Sequence, residues 1–300
     1  MGKNMKNKVP IIIDCDPGID DAMAIAMLQK SNLFEIRAIT TVSGNSSVKN
    51  TTNNALYISN LLNIKAPIYS GASKPLKKPL VTASVQGKNG LGKVSIVNNA
   101  KLTKNACQET ARILETSPGK ITILAIGPLT NIAKLIAKKP KVSEKIKEIV
   151  IMGGTINVKG NKSKLAEFNF FVDPDAAKIV LESNIKKVLV PLDVCNKTSL
   201  DLQKFARLKN SFLYDLARSY SEGLKKYENI EKIIAYDAVA AYFLINPRAF
   251  QTKYLCLTAK KSGAISKSNG RKTTNITTAI NAELFERDFF KILKGGGKYE

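Results

Sequence analysis

Four carboxylates fall within eight residues, at Asp14, Asp16, Asp20 and Asp21, in a 300-residue chain that holds only eleven aspartates. An aspartate at a helix start satisfies free backbone N–H groups and the helix dipole, but capping accounts for one such residue well and for four poorly. Clustered carboxylates repel one another, which is costly unless protons or a cation offset the charge. The chain has no histidine. That removes Ser-His-Asp and Cys-His mechanisms, imidazole acids and histidine-ligated metals. The cysteines, Cys15, Cys107, Cys195 and Cys256, show no CxxC spacing, so reduced thiols in a cytoplasmic protein are expected rather than disulfides or a zinc site. Whatever chemistry occurs must run on carboxylates, amides and hydroxyls, and oxygen-only ligation points to a hard cation, Ca²⁺ or Mg²⁺.

These residues need elements to position them. Short apolar, β-branched runs predict strands over residues 9–14, 35–42, 67–70, 120–126, 148–152 and 187–192. Helix-period segments fall between them at 22–29, 50–62, 105–115, 131–137 and 174–182. Near-continuous apolar strands imply burial on both faces, hence an α/β fold: an open, mostly parallel, Rossmann-like sheet flanked by helices. Residues 199–246 read as mainly helical, followed by strands at 254–259 and 275–280 and a helix over 284–293. With no repeat or low-complexity linker, a single domain over 1–300 is expected, with residues 1–8 a flexible extension. Polar punctuation falls where strands end: DCDPGIDD, TTVSGN, IGPLTN, MGG and PLDVCN. In such sheets ligands bind beyond the strand C-termini, so these segments converge on one edge.

Composition narrows the class. Hydrophobic residues make up 44% and charged residues 24%, and no apolar run is long enough for a membrane span. The formal charge of +23 makes anionic partners worth considering. The lysines are scattered in doublets such as Lys77-Lys78 and Lys138-Lys139, without blocks or aromatic interleaving. A solvated basic surface is therefore expected, and neither a nucleic-acid nor a membrane partner.

The segments DCDPGIDDAMAIAM, TTVSGN, IGPLTNIA, MGGTINVKGN, AEFNFFVDPDAA and YDAVAAYFL, in that order from about residue 9 onward, resemble the inosine-uridine-preferring nucleoside hydrolase family. The first and fifth of these motifs are the most specific. The resemblance implies calcium-dependent hydrolysis of the N-glycosidic bond of purine or pyrimidine ribonucleosides, and a homodimer or homotetramer. It places Ca²⁺ on Asp16, Asp21, Asp237 and the backbone carbonyl of Thr130. It places ribose-hydroxyl contacts on Asp20, Asn45, Asn161, Glu167 and Asn169, with Met152, Phe168 and Asp237 also at the substrate. Asp16 becomes the general base and Asp14 a support for the loop. A sugar losing its base develops positive ring charge, which surrounding carboxylates stabilise.

The chain departs from the family's pattern wherever the family carries histidine. Tyr236 precedes Asp237, Gln86-Gly87 replaces an early His-Gly, and Asp193-Val194-Cys195-Asn196 replaces an Asp-Val-Thr-His-like segment. Tyr236 then stands at the leaving group, either donating a hydrogen bond to it or packing over the base, and Tyr227 is the alternative source of that contact. Two rival readings remain on the sequence. One is a catalytically impaired nucleoside-binding homologue. The other is a haloacid-dehalogenase-like phosphotransferase, which also opens on a strand ending DxD, although Pro17-Gly18 follows the motif here.

Overall fold

The computed structural model describes residues 8–94, 96, 105–270 and 273–295. The extension expected at residues 1–8 lies, apart from Lys8, outside the described residues.

Ile11, Ile12 and Ile13 are all fully buried. Successive strand side chains point to opposite faces, and Ile11 and Ile13 pack into one apolar cluster while Ile12 packs into another. The sheet is therefore covered on both sides, as its unbroken apolar strands require. The strands are β1 (Val9–Cys15), β2 (Phe34–Thr41), β3 (Ile68–Ser70), β4 (Ile121–Ala125), β5 (Ile146–Met152), β6 (Lys187–Val190), β7 (Phe250–Leu255), β8 (Leu257–Ala259), β9 (Ile265–Lys267) and β10 (Thr274–Ile280). Eight of them form one sheet in the order β3-β2-β1-β4-β5-β6-β10-β7. All neighbours are parallel except β10 and β7.

The helices are α1 (Ile19–Ser31), α2 (Val48–Leu61), α3 (Ala106–Thr116), α4 (Thr130–Lys138), α5 (Pro140–Ser143), α6 (Phe168–Val172), α7 (Pro174–Glu182), α8 (Leu192–Cys195), α9 (Leu202–Ala206), α10 (Ser211–Gly223), α11 (Tyr236–Ile245) and α12 (Ala282–Leu293). Side chains of α1, α2, α10, α11 and α12 cover one face; those of α3, α4 and α7 cover the other. Helices α1 and α11 pack against each other. Every residue of α1 from Ile19 to Leu28 is buried, the pattern of a helix enclosed on all sides. Among the described residues no helix is long and apolar enough to cross a membrane.

The single strand expected at 254–259 is in fact two. Strand β7 runs antiparallel along β10 at the sheet edge, with most of its side chains exposed. Strand β8 leaves that sheet after Cys256, pairs with β9, and buries Leu257 and Ala259 in the cluster that includes α7. A short β-rich run does not reveal where the chain changes sheets, because both halves satisfy the same local preference.

Candidate active site

The cluster at residues 14–21 is created by the end of β1. Asp14 is the sixth residue of that strand, Asp16 follows it, and Gly18 precedes α1, placing Asp20 and Asp21 in the helix's first turn. Asp237 enters from the first turn of α11. Because α1 packs on α11, one ligand oxygen from each of Asp20, Asp21 and Asp237 lies within 4.8 Å of the others, all three residues being buried. Asp16 is 1% exposed, and its Oδ1 and the Oδ1 of Asp21 meet no hydrogen-bond donor.

Such an arrangement strains the charged form. Burial, then the charge of Asp21, pushes the Asp16 carboxyl well above the ordinary carboxylate range. Burial, then the charges of Asp20, Asp21 and Asp16, does the same to Asp237. Asp21 is raised to about 7, first by burial and then by Asp20. Left to themselves, these acids hold protons; a dication in their midst would replace the protons.

Neighbouring groups lock the carboxylates in place. The Asn45 backbone N–H donates to Asp16 Oδ2 at 2.6 Å, and its side-chain amide donates to the Asp16 carbonyl and to Asp21 Oδ2, both at 3.1 Å. Asn45 does not take the left-handed turn conformation that its place after Gly44 would also have allowed. Asp14 accepts from Thr40 and Asn131 and lies behind the site rather than in it, its pKa raised to about 6 by burial.

A pocket open to solvent stands over this floor. Asp16, Asp20, Asn45, Met152, Asn161, Glu167, Phe168, Asn169, Tyr236 and Asp237 all line it, so most of the residues nominated from sequence meet there. Asp21 lies beneath, within the acid cluster. Thr130 begins α4, four residues beyond Ile126 in the pocket wall, and its hydroxyl donates to Asp173 at 2.6 Å.

Glu167, nominated from sequence as a ribose contact, also has a structural role. It caps the short helix α6, accepting from Asn169 N–H at 2.8 Å and Phe170 N–H at 3.2 Å, while Gly154 N–H donates to it at 2.8 Å. Gly154 can aim that N–H because its φ of +73° is open to glycine. Asp173 caps α7, accepting from Ala176 N–H at 3.0 Å. Burial raises Glu167 to about 7 against these donors. Asn161 Oδ1 accepts from Phe168 N–H at 3.0 Å, and the Asn169 amide donates to the Ile126 and Met152 carbonyls.

Three pocket residues escaped sequence reasoning. Gln86 donates to Asp20 Oδ1 at 2.7 Å and accepts from Ile19 N–H at 2.8 Å. Tyr220 donates to Asp20 Oδ2 at 3.2 Å across 200 residues of sequence. Glu228 lies on the wall beside Tyr227 and Tyr236. Gln86 drew notice only as a replaced histidine, and Tyr220 is one of nine tyrosines with nothing local to distinguish it.

Comparison with known proteins agrees with this geometry. The family model for "Inosine-uridine preferring nucleoside hydrolase" matches residues 11–287. The chain is 35% identical to uridine nucleosidase 1 of Arabidopsis thaliana over 264 residues, covering 84% of this chain and 77% of that protein. It is 37% identical to the non-specific ribonucleoside hydrolase RihC of Escherichia coli (strain SMS-3-5 / SECEC), covering 82% of each. The solved structure of a purine-preferring ribonucleoside hydrolase from Gardnerella vaginalis superposes with a TM-score of 0.89 at 25% identity, covering 95% of this chain and 98% of that one. These matches leave no place for the phosphotransferase alternative: the chain belongs to the inosine-uridine preferring nucleoside hydrolase family.

Proposed function

We propose that this nucleoside N-ribohydrolase is calcium-dependent and cleaves both purine and pyrimidine ribonucleosides to free base and ribose. The observation that carries the reading is the buried convergence of Asp20, Asp21 and Asp237, with unpartnered oxygens on Asp16 and Asp21, at the floor of a pocket rimmed by amides and acids. An all-oxygen, acid-rich donor set suits a hard dication. Asp21 and Asp237 of that cluster would hold it, joined by Asp16, which lies outside the cluster but has a buried Oδ1 without a donor, and by the Thr130 carbonyl that the family resemblance supplies. When bound, such an ion supplies positive charge that acidifies water and neutralises the carboxylates.

The chain's own groups do the rest. Asp16 removes a proton from the water that attacks C1′. Asp20, clamped between Gln86 and Tyr220, offers fixed negative charge to the ring as the base departs. Asn161, Glu167 and Asn169 hold the ribose hydroxyls, using binding energy away from the reacting bond to orient it. Met152 and Phe168 pack against the sugar and base, and the Tyr236 hydroxyl hydrogen-bonds at the base end. A homodimer or homotetramer, in a cytoplasm that keeps the four unpaired cysteines reduced, belongs to the same reading.

The test is chromatography of products from inosine, guanosine, adenosine, uridine and cytidine with added calcium. Equimolar base and ribose are expected from members of both base classes. Retention of intact nucleosides, with binding but no cleavage, would instead select the catalytically impaired homologue.

Gly44 provides an independent check on Asp16. A Cβ there would overlap Asp16 Oδ2 and approach Pro128 Cδ to 2.8 Å, so Gly44→Ala must displace the base. The expected loss in kcat is about 10²-fold, as for an ångström-scale misplacement, with less effect on KM. Unchanged kcat would show that Asp16 does not need its observed position.

A further inference from the structure

We propose that Glu228, on the wall of the nucleoside pocket, delivers the proton that the departing base takes up. The assignment rests on the ribonucleoside-hydrolase reading above and supplies an acid in a chain without histidine.

Glu228 closes a π-helical turn, Leu224–Glu228, that continues α10, and Asn229 follows in the left-handed conformation. The turn brings Tyr227 and Glu228 into the pocket beside Tyr236. Glu228 Oε2 is buried and meets no hydrogen-bond donor, and among the described residues Glu228 forms no ion pair. A buried carboxyl oxygen without a partner is costly unless it is protonated or meets a ligand.

The charged and titratable groups around Glu228 all bear on its proton. Asp20 and Glu167 face it with negative charge, Lys162 with positive, and the phenols of Tyr220 and Tyr236 lie close by. Burial, then Asp20 and Glu167, raises Glu228 to about 7, while Lys162 acts in the opposite direction. An acid poised near the working pH combines a populated protonated form with a strong drive to donate. The Tyr236 phenol is pushed further above its ordinary value by burial and then by Glu228, which suits it to hydrogen bonding and not to proton release. Glu228, Tyr227 and Tyr236 also line an adjoining cavity that carries Lys159, Lys162 and Lys164. That cavity gives the carboxylate a route to solvent for recovering its proton.

In the step, the C1′–N bond breaks and its electron pair goes to the base. The Glu228 proton passes to a ring nitrogen or exocyclic oxygen of the base. The water oxygen bonds to C1′, and its released proton goes to Asp16. Water and nucleoside thus become base and ribose; Glu228 then regains a proton from solvent and Asp16 loses one.

The experiment compares wild type, Glu228→Gln and Glu228→Asp on inosine, uridine and 4-nitrophenyl β-D-ribofuranoside, whose leaving group needs no proton. Rates are read from about pH 5.5 to 9. Glu228→Gln is expected to lose about 10²–10³-fold in kcat/KM on the nucleosides and to stay within about threefold of wild type on the nitrophenyl riboside. The fall in wild-type nucleoside activity above pH ~7 should vanish in Glu228→Gln and return in Glu228→Asp. Equal losses on both substrate classes, or no loss on nucleosides, overturn the assignment while leaving the hydrolase reading intact. If wild type releases ribose from none of the substrates, the hydrolase reading itself falls, and this assignment with it.

Discussion

Asp16→Asn is expected to lower kcat by about 10²–10⁴-fold, the range for loss of a positioned general base, while the fold survives. The geometry explains both halves of that outcome. Asp16 Oδ2 accepts the Asn45 N–H, and an asparagine oxygen can keep that bond. Oδ1 meets no donor and is buried, so an amide nitrogen there breaks no contact. Burial and Asp21 already push the Asp16 proton affinity upward. The metal-free variant should therefore melt at or above the metal-free wild type, since an amide is neutral at that buried site without having to take up a proton. Single-turnover ribose release and a thermal melt in EGTA together check the claim. Wild-type turnover would remove Asp16 from the role of base; a large drop in melting temperature would mean that the carboxylate is chiefly structural.

Removing calcium should abolish turnover and expose a reversed pH dependence of stability. Asp14, Asp21 and Glu167 are raised to about 6, 7 and 7, and Asp16, Asp20 and Asp237 are also raised, in each case first by burial. In the unfolded chain these groups titrate near pH 4. Between about pH 4 and 7 the metal-free native state therefore binds more protons than the unfolded state, and its stability falls as pH rises through that window. In EGTA the melting temperature should drop by about 5 °C or more from pH 5 to 7.5. Calcium at about 100-fold over its Kd adds roughly 2.7 kcal/mol by mass action and should offset most of that drop. Differential scanning calorimetry with EGTA and with calcium, alongside the ribose assay, reads both effects. A melting temperature and activity indifferent to chelation, or a metal-free protein that gains stability as pH rises, would refute the cation site.

The local part of this site was legible because β1, its turn and the start of α1 lie within one short stretch. A strand ending at Asp14, a Pro-Gly turn and an acidic first helical turn follow from nearest-neighbour preferences, and the helix does begin just before Asp20 and Asp21. Asn45 could be nominated but not explained, since its three bonds run to residues 24 and 29 positions away. Glu167 was nominated as a ribose contact and is also a helix cap; its third N–H comes from distant Gly154, which no local pattern around Glu167 signals. The division of residues 250–259 between two sheets was equally hidden, because edge pairing and a buried hairpin favour similar residues.

What the sequence determined by itself is the chemical vocabulary: no imidazole, acids crowded beyond any capping need, and apolar strands that must be covered on both faces. Those are properties of composition and local order. What only the tertiary structure decided is which distant groups share the pocket: Asp237 against Asp20 and Asp21, Tyr220 and Gln86 on Asp20, and Glu228 beside Tyr236. The physical reason is that these approaches depend on α1 packing against α11 and on where α10 ends. Such packing is set by the summed burial of many side chains, which no short motif encodes.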